Sequence, residues 1–373
     1  MKMYFPQKMI LVLVFLVFES VSFGQVNKKA GKLTRQLYQS LFKIREKGVI
    51  FGHQDAMAYG LNPDGSRWIA DKPLQSDIKN ISGKHPGLLG WDLGHLELDH
   101  PANLDGVPFD FMKKTTIFAY QNGIISTYSW HPNNPLDFSK STWDKMENTI
   151  GKILNNPDNL KKYQKTLDKL ADYFLSLKTE KGDLVPVIFR PYHEHTGSWF
   201  WWGADHCTPQ QYKDFWKMTY NYITQKKKVK NLLWAYSTDN FRDEAHYLER
   251  FPGYDYVDIL GFDTYHRNAP QSNQDFIVNT QRMVKTIEKL SKDNQKLFAI
   301  TETGLERVTE KNWWTQILGP IISDSGLSYV LVWRNGRPDH FYAPYLGQES
   351  ADDFKNMAQN GMLLFGNDFK IKP

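Results

Sequence analysis

The sequence predicts an α/β fold, a single (β/α)8 TIM barrel, from three observations. Eight strand-like apolar runs recur along the chain, amphipathic helical stretches separate them, and two glutamates stand a whole number of βα units apart. In order, the runs are residues 49–53, 87–92, 123–131, 184–194, 232–236, 257–263, 297–302 and 329–333. Nearly continuous apolar strands imply a parallel sheet covered by helices. Between runs three and four, Leu160, Tyr163, Leu167, Leu170, Phe174 and Leu177 recur every three or four residues, the stripe of an outer helix. A doubly wound open sheet would alternate in the same way. No glycine-rich nucleotide fingerprint follows the first run, however, and eight runs with polar or aromatic ends favour closure. Glu194 and Glu302 end runs four and seven, 108 residues or three units of 36 apart, which agrees with the count. The last stretch, residues 342–373, is expected to finish the final helix against the barrel bottom.

The chain has 373 residues, 41% hydrophobic and 23% charged, a composition that can bury one large core. Residues 1–24 carry Lys2 and Lys8, an apolar stretch over 9–18, then small residues at Ser22 and Gly24, and are expected to be a secretory signal peptide. Cleavage near Gly24–Gln25 would leave residues 25–373 as the barrel domain of an exported protein, periplasmic or secreted. The apolar stretch is too short to remain as a membrane anchor, so no stable membrane insertion is expected after cleavage. Cys207 is the sole cysteine, so stability must come from the core. The net charge of +5 shows no basic stripe, and nucleic acid is not an indicated partner. The lysines of residues 225–230 read as a solvated helix end. Oligomeric state cannot be read from the sequence.

Aromatic residues make up 14% of the chain, with 12 Trp and 19 Tyr, more polar-edged rings than a core requires. Such amphipathic plates suit a ligand surface. Glu194 lies within Arg190-Pro191-Tyr192-His193-Glu194-His195, followed by Gly197-Ser198-Trp199-Phe200-Trp201-Trp202-Gly203, and Glu302 lies within Thr301-Glu302-Thr303-Gly304. In a barrel, the active site lies at the C-terminal strand ends, and runs four and seven can bring their tips to facing sides of one mouth. Two carboxyls beside tryptophans suggest glycosidic bond hydrolysis, in which one carboxyl protonates the leaving oxygen while the other attacks or activates water. The distance between them decides which, and the sequence gives no distance.

Together with Gly261-Phe262-Asp263-Thr264-Tyr265 and Val332-Trp333-Arg334-Asn335, these motifs resemble glycoside hydrolase family 26, mostly β-mannanases, in order from Phe51-Gly52-His53-Gln54 through Arg334. Most relatives in the same clan of retaining barrel glycosidases place Asn before the acid/base, whereas His193 matches family 26. The resemblance implies Glu194 as acid/base and Glu302 as nucleophile, with Tyr265 holding Glu302. His193 and His131 would contact the sugar at the cleavage point, Trp333 would lie beneath it, and Arg334 would bind the next sugar towards the non-reducing end. Trp199 or Trp202 would stack the sugar on the leaving side. Asp263 would assist Tyr265 or a sugar hydroxyl. Burial beside the tryptophans and the second carboxylate should raise the pKa of Glu194. Arg190 reads either as a further partner of Glu302 or as a core ion pair. Trp201 and Phe200 read as packing.

No cofactor is expected, and His206 beside Cys207 completes no metal-ligand set. The expected partner is β-mannan or a manno-oligosaccharide, with β-1,3-xylan and mixed-linkage β-glucan as alternatives within the family. A noncatalytic carbohydrate-binding protein would use the same aromatic plates without needing both glutamates, and a metal-dependent deacetylase or hydrolase is a further rival. Residues 59–73 and 92–110 are the loops expected to decide whether one end of the cleft is closed, and so whether cutting is internal or releases mannobiose.

Overall fold

The computed structural model describes residues 24–371. The expected leader, apart from Gly24, lies outside the described residues. Eight parallel strands follow in chain order: β1 (Val49–Gln54), β2 (Leu88–Asp92), β3 (Ile125–Trp130), β4 (Val187–Pro191), β5 (Leu232–Thr238), β6 (Ile259–His266), β7 (Leu297–Leu305) and β8 (Tyr329–Val332). Each pairs with the next, and β8 returns to β1 through Ile50↔Tyr329 to His53↔Val332, so the sheet closes as the sequence predicts.

Both faces of the sheet are covered, which explains why the strands read as continuous apolar runs rather than alternating ones. Inside, Ile50, Leu88, Ile125, Ile188, Leu233, Ile259, Leu297 and Leu331 contribute one aliphatic side chain from each strand to a single cluster. The helix Lys32–Ile44 adds Leu37, Tyr38 and Leu41 to it and plugs the bottom of the barrel. Each such side chain, fully buried, stabilises the fold by about 1.5–3 kcal/mol. Outside, the helix Pro157–Ser176 shows how the outer layer is specified. Asn156 accepts from the N–H groups of Asp158 and Asn159, Pro157 opens the first turn, and Tyr163, Leu167, Leu170 and Phe174 are buried on one face.

Two boundaries differ from the sequence reading in ways that matter for chemistry. β4 stops at Pro191, so Glu194 stands in the loop beyond it, whereas Glu302 lies inside β7. β7 also carries a bulge. Phe262 of β6 pairs with Ile300, but its neighbour Asp263 pairs with Glu302, and β8 shows the same slip between Val330 and Val332. The extra residue turns the strand so that Thr301 Oγ1 donates to Asp263 at 2.6 Å while Glu302 lines the mouth.

The C-terminal stretch also divides. The helix Ala351–Gln359 packs on the outside, and the short strand Leu363–Leu364 pairs with Val49 and Ile50 at the bottom, as expected for this stretch. Its first residue, Tyr342, is instead at the mouth.

Candidate active site

Beyond β4 the chain turns sharply. Tyr192 and Glu194 both have positive φ, 51° and 53°, a conformation that side chains with a Cβ rarely adopt and that persists only where the surroundings enforce it. Here the Glu194 N–H donates to the Ser237 carbonyl of β5 at 3.0 Å, and the Tyr212 hydroxyl donates to the Tyr192 carbonyl at 2.9 Å. The Tyr192 ring is fully buried, with its hydroxyl bonded to those of Tyr163 and Thr219. The turn presents the half-buried Glu194 carboxyl to the mouth, where Trp199 Nε1 donates to it at 2.7 Å. Burial, then the negative charges of Asp263, Glu302 and Asp239, hold the Glu194 pKa well above the usual carboxylate range, against the lowering effect of the Trp199 bond.

Across the mouth, Glu302 is 3% exposed and held on both oxygens. Arg190 Nη2 donates to Oε1, and the Tyr265 hydroxyl donates to Oε2 at 2.7 Å. Arg190 therefore fills both of its expected roles, because its Nη1 also pairs with Asp263 at 2.8 Å. Asp263 accepts further from Ser237 at 2.8 Å and from Thr301, and has no exposed surface. The expectation that Asp263 contacts Tyr265 or a sugar is thus corrected: all its described partners are Arg190, Ser237 and Thr301, and its carboxylate fixes the arginine that fixes Glu302.

Glu194 and Glu302 border one open cavity of about 440 Å³ together with His131, His193, Trp199, Tyr265 and Trp333, seven of the ten predicted site residues. His131 Nδ1 is 2.7 Å from Asp92, the last residue of β2. Burial opposes a charge on His131, but the Asp92 carboxylate and its hydrogen bond outweigh burial and raise the pKa. The His193 ring stands edge-on to His131 with centroids 4.5 Å apart. Of Trp199 and Trp202, only Trp199 lines the cavity. Trp199 is 38% exposed, whereas Trp202 is fully buried, donates to the His193 carbonyl at 2.8 Å and stacks under Phe200. Trp202 supports the wall, and Phe200 rather than Trp202 meets the cavity.

Arg334 lies away from this cavity. Its Nη2 pairs with Asp105 of the 92–110 loop at 2.9 Å, beside Asp55, whose Oδ2 accepts from Tyr59. Burial and the Asp105 charge raise Asp55 to about 8. Five further lining residues were not singled out from the sequence: Trp143, Asp239, Asn240, Arg267 and Tyr342. Asp239 and Asn240 directly follow β5 and Arg267 follows β6, so strand-end position was a usable signal for them. Trp143, 51% exposed in a polar loop, was another. Tyr342 carried none; it packs over Gly304, where a Cβ would lie 2.6 Å from its ring.

One carboxylate oxygen from each of Glu194, Asp263 and Glu302 lies within 4.8 Å of the others. This is the one cluster among the described residues whose oxygens could ring a cation, but the Arg190 guanidinium already bonds two of the three. Retaining glycosidases keep their carboxyls about 5–5.5 Å apart, and inverting ones about 6.5–9.5 Å. The nearest oxygens of Glu194 and Glu302, within 4.8 Å of each other, bring the two carboxyls close enough to act on one glycosidic bond. An acid kept protonated by burial opposite a doubly anchored carboxylate, at the mouth of a parallel barrel, is the layout of a retaining barrel glycosidase.

Known proteins agree with this class. Residues 26–302 match the family model for glycosyl hydrolase family 26, and the chain belongs to that family. A β-mannanase of this family from Bacteroides ovatus has a similar structure, with 40% identity, a TM-score of 0.86, and coverage of 91% of this chain and 97% of that one. The modular endo-β-1,4-mannanase of Cellulomonas fimi is similar at 27% identity and a TM-score of 0.82, over 93% of this chain and 78% of that one. A mannan endo-1,4-β-mannosidase of Bifidobacterium adolescentis is 29% identical over 93% of this chain. The chain spans 36% of that relative's length and 53% of the next, from Caldalkalibacillus mannanilyticus.

Proposed function

We propose that this protein hydrolyses β-1,4-mannosidic linkages in mannan, galactomannan or manno-oligosaccharides with retention of configuration, without a cofactor. The observation that carries the reading is the close approach of Glu194 and Glu302 in one aromatic-walled cavity. Glu302 attacks the anomeric carbon while Glu194 gives its proton to the departing oxygen, so the glycosidic bond breaks as the glycosyl–Glu302 ester forms. Glu194, now a carboxylate, takes a proton from water, and the hydroxide formed displaces Glu302. His131 and His193 border the reacting sugar, Trp333 underlies it, and Trp199 carries the leaving side.

The mannan assignment follows the relatives, whose names specify mannan. Assaying reducing ends released from mannan, β-1,3-xylan and mixed-linkage glucan tests it. Mannan is expected to be the preferred substrate, and turnover of xylan or glucan alone would replace it. Binding without turnover would support the noncatalytic alternative. The Arg334–Asp105 pair joins the 92–110 loop to the end of β8, and the reading extends to this loop closing one end of the groove so that short products are released. Reduced mannopentaose should then give mannobiose from the first minute, whereas an early spread of lengths would mean internal cutting. Export after removal of residues 1–24 is part of the same proposal, and a mature N-terminus elsewhere than Gln25 would contradict that boundary.

A further inference from the structure

Glu194 belongs to the loop after β4, so the oxygen it protonates departs towards β4, β5 and β6. The sugar attached to that oxygen must cover Trp199, and the polar groups of the cavity on that side are Asp239 and Asn240 beyond β5 and Arg267 beyond β6. Asp239 is held in place. Its N–H donates to Thr196 Oγ1 at 3.0 Å, on the same turn as Glu194. The Asn240 amide donates to Asp239 Oδ1 at 3.2 Å, and Asn240 Oδ1 in turn accepts from Thr264 Oγ1 at 2.9 Å. Among the described residues, Asn240 is the only side chain that donates to this carboxylate.

A half-buried carboxylate supplied only by the backbone and side chain of Asn240 depends on water for its remaining hydrogen bonds. A sugar laid over Trp199 displaces that water, and an uncompensated carboxylate would oppose binding. Sugar hydroxyls are donors and an aromatic leaving group has none. We propose that Asp239 is a specificity-determining residue of the leaving side, accepting a hydrogen bond from a hydroxyl of the departing sugar, with Asn240 holding it in place. This rests on the hydrolase reading above and deepens it, because it makes the site select a polyhydroxylated leaving group over an apolar one. The charged groups facing Asp239 are Glu194, whose proton its negative charge helps retain, and Arg267; burial raises the Asp239 pKa, opposed first by the backbone and side-chain hydrogen bonds from Asn240 and then by the Arg267 charge.

The test compares a manno-oligosaccharide with dinitrophenyl β-mannobioside, whose ring can cover Trp199 but offers no hydroxyl and needs no proton from Glu194. For Asp239→Ala, the ratio of kcat/KM, oligosaccharide over aryl glycoside, should fall by roughly 10- to 100-fold, the usual worth of a hydrogen bond to a charged group. Asp239→Asn, which keeps an acceptor oxygen and the side-chain shape, should lose less. Its alkaline limb on the oligosaccharide should also move to lower pH, because a negative charge beside Glu194 is gone. An unchanged ratio in both variants overturns the inference, even if the alkaline limb moves, since charge alone would then explain Asp239. If the wild-type enzyme cleaves neither substrate, the hydrolase reading falls first and takes this inference with it.

Discussion

Glu302→Ala is expected to lower turnover of manno-oligosaccharides by on the order of 10⁴-fold or more, the scale seen when a nucleophile is removed from a covalent mechanism. Oligosaccharide binding should remain measurable by calorimetry. The residues expected to hold the sugar, His131, His193, Trp199 and Trp333, border the cavity independently of that carboxylate. Arg190 keeps its pairing with Asp263, so the mouth does not lose its buried cation. A variant that still cleaves at the wild-type rate would remove Glu302 from the chemistry.

Arg190→Met should produce the largest loss of stability of any single change at the site, about 3–5 kcal/mol, because it leaves the buried Asp263 and Glu302 without their shared cation. The loss should depend on pH. Burial, opposed by Arg190, already raises Asp263 to about 7 from its ordinary 3.8, and removing the arginine raises it further. The folded state then binds more protons than the unfolded one above about pH 4, so stability falls as pH rises through that window. Urea unfolding should show the variant weaker relative to wild type near pH 8 than near pH 5. An equal deficit at both would mean that Asp263 is not left charged and unpaired.

The legible part of this molecule was its periodic part. Eight buried runs and a glutamate spacing of three units identify a closed barrel, because strands covered on both faces must be apolar throughout and catalytic groups must stand near strand ends. Tyr265 and Glu302 could be paired from their neighbouring strands. The bulge in β7 was not legible, since one extra residue changes register without changing composition, and it is this residue that lets Thr301 bond Asp263 while Glu302 lines the mouth. The left-handed turn at Tyr192 and Glu194 was equally hidden, as neither is a glycine. Among adjacent tryptophans, only packing distinguishes the exposed Trp199 from Trp202, whose indole N–H is used by the His193 carbonyl. Asp263 entered the site through the family resemblance, as a residue assisting Tyr265 or a sugar hydroxyl. The structure places it one layer lower, holding Arg190.

The central claim is that Glu302 becomes covalently attached to the sugar while Glu194 passes the proton. Peptide mass spectrometry after inactivation with a 2-deoxy-2-fluoro mannosyl donor, which slows breakdown of the intermediate, tests it most directly. One fluorosugar should be found on the peptide containing Glu302, attached at that residue. A label on Glu194 or any other residue, or inactivation that leaves the Glu302 peptide at its unmodified mass, would contradict the account.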